Sequence, residues 1–187
     1  RHGLLTGVDR IIPTKPPVRN PTRKTMTPEP TLVTLFRHHL WANLRLFERC
    51  QNLTDAQLDA TVVGTYGTIR DALQHIVTAE QSYLSRITTG QRLQRPSDAP
   101  PLTMPEMLAS LRRTGDELIA WAPRIAPEDT VSIDWEPEPR DVPKAILLTQ
   151  AINHATEHRS QVMTILTQLG IEPPDVDAWT YFDELGR

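Results

Sequence analysis

Residues 143–170 read PKAILLTQAINHATEHRSQVMTILTQLG, and their periodicity decides the fold class. Leu147, Ala151, His154, His158, Val162, Ile165 and Leu169 follow one another at intervals of four, three, four, four, three and four, the stripe by which an α-helix faces a bundle core. Pro143 suits the start of such a helix, and Gly170 followed by Pro173 and Pro174 ends it. Two histidines interrupt the apolar seam on adjacent turns. Their spacing places both imidazoles on one face about 6 Å apart, close enough to bind a single metal ion. Burying two neighbouring imidazoles without a partner costs free energy, and protonating both inside costs more. A shared cation relieves both costs.

Three more apolar-periodic segments precede this one. The first runs from about Glu29 to Gln51, with Leu32, Leu35, Phe36, Leu40, Leu46 and Phe47 on one face. The second runs from Ile69 to Thr89, with Thr68 as its cap and Gly90 as its stop, and shows Ile69, Leu73, Ile76, Tyr83 and Ile87. After the loop GQRLQRPSDAPPLT, a third helix starts at Thr103 or Pro105 and reaches Ala122. Val131, Ile133 and Trp135 then alternate like a strand too short to make a sheet by itself, and DVDAWTYFDEL near the end reads as a short amphipathic helix. These segments predict an all-α protein: a four-helix bundle with a strand-like or irregular connection between helices three and four and a short C-terminal helix.

Composition narrows the function. The 187 residues suit one domain, and no apolar run approaches the roughly 20 residues that cross a bilayer. The start lacks the layout of a secretory signal, so a cytoplasmic protein without membrane association is expected. The eight glycines form no phosphate-cradling motif, and the single cysteine, Cys50, excludes cysteine-ligated zinc and internal disulfides. Residues 1–25 hold six basic residues and one acid; of the chain's 20 basic and 23 acidic residues, the remainder therefore keeps 14 and 22, a net of −8. An acidic body argues against nucleic acid as a partner. The proline-containing segment 1–25 is expected to be a disordered basic extension, native or introduced by cloning, with Met26 as the natural start and residues 26–187 as the bundle domain.

Five histidines fall within the predicted helices. His75 lies on the second helix at the border of its apolar face, beside the small Ala72 and Ala79, and supplies a third ligand to His154 and His158. Three protein ligands leave positions for water or substrate, as catalytic metal sites do. The alternative is ordinary surface or buried hydrogen-bonding histidines. On the first helix His39 and Asn43 point to the middle of the apolar face, where they either contact substrate or support the ligands, or are simply buried hydrogen-bonding residues. His38 and Trp41 point elsewhere, to the surface or to subunit packing. Cys50 continues the apolar stripe and reads as a small hydrophobe. The string HATEH also spells the HxxEH signature of inverzincin proteases, but only 29 residues follow His158, too few for that class's downstream ligand and domain. Glu157 either polarises a metal-bound water as a base or is an exposed helix acid.

Taken together, LFRHHLWANLRLFERC, GTYGTIRDALQHIVTAEQSYLSRI, INHATEHRSQVMTILTQLG and PPDVDAWTYFDE resemble the DinB/YfiT-like proteins over Pro28 to Glu184. The resemblance implies an up-down-down-up four-helix bundle and a divalent metal on three histidines, matching His75, His154 and His158. The WAN triplet at Trp41–Asn43 and the HRSQ run at His158–Gln161 are similarly family-like, with Ser160 where Gly is usual. It further implies a metal-dependent transferase of detoxification or stress response that uses a low-molecular-weight thiol such as bacillithiol or mycothiol, a small-molecule substrate, and a homodimer. Zn or Ni is the expected ion, with Mn or Fe as alternatives. A metal-dependent hydrolase and a non-catalytic metal- or ligand-binding stress protein are the competing readings.

Overall fold

A computed structural model describes residues 29–96, 98–134 and 137–185. The expected extension over residues 1–25, the start at Met26 and the alternation at Trp135 lie outside these residues. Four long helices carry the fold: α1 (Thr31–Cys50), α3 (Ile69–Thr89), α4 (Met104–Trp121) and α5 (Lys144–Gln168). The short α2 (Asp55–Leu58) sits between the first two, and α6 (Ala178–Leu185) closes the chain. The sequence reading passed over α2, whose signal is local: Thr54 and Gln57 cap each other reciprocally. Thr68 and Asp71 do the same at the start of α3, and Gly90 ends that helix in the left-handed conformation at φ 76°.

Side-chain contacts fix the helix directions. Gln74 pairs with the Leu102 backbone and Gln81 with Ser110, so α3 and α4 run parallel. Lys144 reaches the Ile87 carbonyl, His154 meets His75, and Gln161 meets Tyr66, so α5 runs antiparallel to α3. Arg112 meets Glu48 while Gly115 faces Leu40, so α4 runs antiparallel to α1. The connectivity is up-down-down-up, and residues 90–103 travel back along α3 to start α4 beside its first turns.

A layer of polar side chains divides the core. On one side Leu46, Phe47, Leu73, Leu111, Val162 and Leu166 pack together; on the other, Phe36, Leu84, Ile87, Leu118 and Leu148 do. Between them lie His39, Asn43, Glu80, Thr114 and Arg159, all buried, with all four long helices contributing. Cys50 is fully buried and its thiol is pushed up to about 12 by desolvation, so it behaves as the small hydrophobe expected. Leu32, Leu35 and Leu169, placed on core faces by periodicity, are instead substantially exposed, Leu32 and Leu35 at the rim of a groove that Leu148 and Ile152 of α5 also line.

A two-stranded sheet forms, with the alternating Val131 and Ile133 on its first strand. β1 (Thr130–Ile133) pairs antiparallel with β2 (Arg140–Pro143), Thr130 opposite Pro143 and Ile133 opposite Arg140. The second strand, RDVP, has no apolar alternation to announce it, and its proline stands at the strand's last position. Val131 is buried in the Phe36 half of the core, which anchors the hairpin. His38 and Trp41 pack against Tyr181, His38 bonds the Val176 carbonyl at 2.9 Å, and Trp41 and Arg45 hold Glu184. They dock α6 onto α1, and no subunit contact is needed to explain them.

Candidate metal centre and adjoining cleft

The antiparallel packing of α3 on α5 brings His75, His154 and His158 together, with ligating atoms all within 4.8 Å of one another. They lie close enough to hold one metal ion. His75 Nε2 and His154 Nε2 are 2.9 Å apart. Two nitrogens coordinated at about 2.1 Å stand roughly 3.0–3.4 Å apart across one coordination edge, so this pair is already near that spacing. Desolvation and the neighbouring His158 lower the His75 pKa, and the same causes with His75 added push His154 down to about 4. Both rings are therefore neutral at pH 7, the form in which imidazole binds a metal.

His158 is buried, and its Nδ1 lies 3.0 Å from Gln161 Oε1. That oxygen also accepts the Tyr66 backbone N–H at 3.1 Å, which fixes the amide's orientation. His158 Nδ1 must then carry the proton, leaving Nε2 with its lone pair free. The Tyr66 ring stacks on His75 at 4.2 Å and meets His158 edge-on at 5.0 Å, holding both imidazoles in place. Tyr66 went unremarked in the sequence, where it sits in a turn between two glycines. Gln161 was visible only as part of the HRSQ run.

Beside the histidines opens a cleft of about 710 Å³ between α3 and residues 92–95. His75 and His154 line it, with Tyr83 beside His154, Arg86 further along α3, and Arg92 and Arg95 on the returning segment. Glu157 does not line it, stands exposed on α5, and is not among the clustered ligating atoms.

His39 and Asn43 belong to the buried polar layer. His39 Nε2 lies 2.8 Å from Glu80 Oε2, and Asn43 Nδ2 donates to the same oxygen at 3.0 Å. Thr114 Oγ1 donates to Glu80 Oε1. Arg159 donates to Asn43 Oδ1 at 2.6 Å and to Thr156 at 2.8 Å. Its pKa falls to about 10, mainly through desolvation, with the Glu80 charge opposing the shift. His39 Nδ1 is buried without a partner, which suits a neutral ring donating from Nε2, since a bare acceptor is cheaper to bury than an orphaned N–H of an imidazolium. Of the two uses the sequence left open, these contacts match buried hydrogen-bonding residues, with no bond to the three clustered histidines. Glu80, Thr114 and Arg159 were not foreseen.

Solved structures share the architecture. A DinB-like protein from Bacillus cereus aligns with TM-score 0.56 and 20% identity, covering 78% of this chain and 95% of its own. The DinB-like protein YjoA from Bacillus subtilis aligns with TM-score 0.55 and 16% identity, covering 79% and 99%. Comparison with curated proteins gives no match. The family model described as DinB family matches residues 23–184, and the chain belongs to that family.

Proposed function

We propose that the protein is a metal-dependent enzyme that transfers a group between a small electrophilic substrate and a low-molecular-weight thiol, with His75, His154 and His158 as the metal ligands. The observation that carries this reading is the convergence of three imidazoles, two of which, His75 and His154, line an open cleft large enough for a small molecule. A divalent ion held there, Zn or Ni with Mn or Fe as alternatives, would lower the pKa of a thiol or water. The chain's own part is to present two neutral imidazoles and a third whose tautomer Gln161 sets. Cys50 is buried and protonated, so the thiol comes from a cosubstrate. Glu157 is given no role as a base in this reading, because it stands exposed on α5 and is not among the residues lining the cleft. We place the activity in cytoplasmic detoxification or stress response, carried out by a homodimer.

The test begins with the full chain purified without a nickel column. Elemental analysis should find a transition ion, and Zn²⁺, Ni²⁺ or Mn²⁺ should raise thermal stability. Absence of both effects overturns the metal reading. Conjugation of an electrophile should require added thiol. Turnover without thiol would replace transfer by hydrolysis.

A further inference from the structure

Three arginines line the cleft, on a body that is acidic as a whole. Among the described residues, Arg37, Arg45, Arg70 and Arg112 each meet a carboxylate at 3.2 Å or less. The cleft arginines do not. Arg86, half-buried on α3, donates only to Ser82 Oγ at 2.7 Å. Arg92 has no hydrogen-bond or ion-pair partner among the described residues, and its charge bears on Arg86 from across the cleft. Arg95 donates to the Pro100 carbonyl, and the charge of Glu106 reaches it without forming an ion pair. Among the described residues no Asp or Glu lines the cleft. Two guanidiniums that line one open cleft, with no carboxylate among its described lining residues, leave their charge to be met by something that enters. Charge of one sign gathered in a concave surface raises the local potential and draws in an anion.

We propose that this cleft binds a small organic acid, its carboxylate or phosphate held between Arg86 and Arg92 and its opposite end lying at the three histidines. The inference rests on the proposed reading only in taking that centre as the reaction site. Tyr83 packs edge-on to His154 at 5.8 Å, and Arg86 follows Tyr83 by three residues, less than one helical turn. The acidic group therefore sits on the order of 10 Å from the imidazoles, which selects a ligand with a spacer of several bonds between its acid and its reactive end. Tyr83 would line that spacer.

The test uses the full chain, stripped of metal, with phenylbutyrate, phenylbutyl phosphate and the neutral phenylbutyramide as probes, followed by ligand-observed NMR titration. Both acids should bind about tenfold more tightly than the amide or better, and the tighter of the two identifies the anionic group. The R86Q/R92Q variant should lose about tenfold or more of acid affinity and none of the amide's. R92Q alone, at an exposed loop position, guards against misfolding and should show part of the loss, while R113Q on the exposed side of α4 should change nothing. Failure of the acids to bind wild-type protein, equal binding of acid and amide, or unchanged acid affinity in both variants overturns the inference. Acid binding that persists in a protein unable to take up any metal would overturn the metal reading alone. Metal uptake with no arginine-dependent binding would overturn this inference alone.

Discussion

Replacing Glu80 by leucine probes the polar layer most directly. Leucine fills a similar volume on α3 and keeps helix propensity, so the change isolates the carboxylate. Its removal takes the acceptor from two buried donors, His39 Nε2 and Asn43 Nδ2, while Thr114 Oγ1 keeps the Ser110 carbonyl at 3.1 Å. It also takes away the negative charge that offsets Arg159, which is 4% exposed. An orphaned buried donor costs about 1–3 kcal/mol and breaking a buried charge pair about 3–5 kcal/mol. The costs overlap, because His39 and Asn43 can turn towards one another, so about 4 kcal/mol is the expected loss, a large part of a typical domain's 5–15 kcal/mol. Urea unfolding followed by circular dichroism measures it. Thr114→Val, which removes one donor, should cost only about 1 kcal/mol. In the E80L/R159L double variant no unpaired charge remains, so its destabilisation should fall short of the sum of the singles by about 2 kcal/mol. A loss below about 1 kcal/mol for E80L, or strict additivity in the cycle, would refute the idea that this layer is held by mutual charge and hydrogen-bond satisfaction.

Gln161→Leu should weaken metal affinity about 10- to 100-fold while leaving unfolding by urea almost unchanged, because it frees the His158 tautomer without emptying the core; competition with a chelating dye reads the affinity. In metal-free protein the lowered pKa values of His75 and His154 mean that the fold refuses protons the unfolded chain accepts. Stability is therefore full above about pH 6.5 and declines as pH falls towards about 4, seen as a falling Tm, and bound metal should raise the Tm near neutral pH and make the decline at least as steep, because ligated imidazoles also refuse protons. Gly115→Ala would set a Cβ 2.5 Å from Leu40 Cδ1, and should cost about 1–2 kcal/mol as α1 and α4 are forced apart, with Leu40→Ala restoring part of the loss.

The four long helices were legible because each carries a 3.6-residue stripe with a stop or cap at its ends, and the predicted Ile69–Thr89 coincides with α3. The histidine trio was legible for a related reason: an i, i+4 pair on a seam points at whatever helix faces it, and His75 lay at a face border with small neighbours. The polar layer was not. Glu80 and Arg159 are residue types that normally mark a solvated face, and only the tertiary arrangement shows that each compensates the other. His39 and Asn43 could be seen to face inward, but not that their partners lay on α3 and α5 within the core. Tyr66 and Gln161 escaped because their contact joins residues 95 apart through a backbone N–H, which no periodicity encodes. The second strand escaped because hairpin pairing, and no pattern of its own, holds RDVP extended.

Parallel neighbours such as α3 and α4 cannot be joined by a tight turn, so the chain must return the length of a helix between them. That return, residues 90–103, is also the segment that brings Arg92 and Arg95 to the cleft. On the reading proposed above, topology thus divides the ligand's contacts between helix and connection, with the histidines and Arg86 on α3 and α5 and Arg92 on the returning segment. The half that presents the histidines is locked into α3 and α5, where few exchanges are tolerated. The opposite wall is exposed connection, free to change its residues or length at small cost in stability. On that reading, a bundle wired this way can keep its histidine trio and acquire new ligands through a single connection.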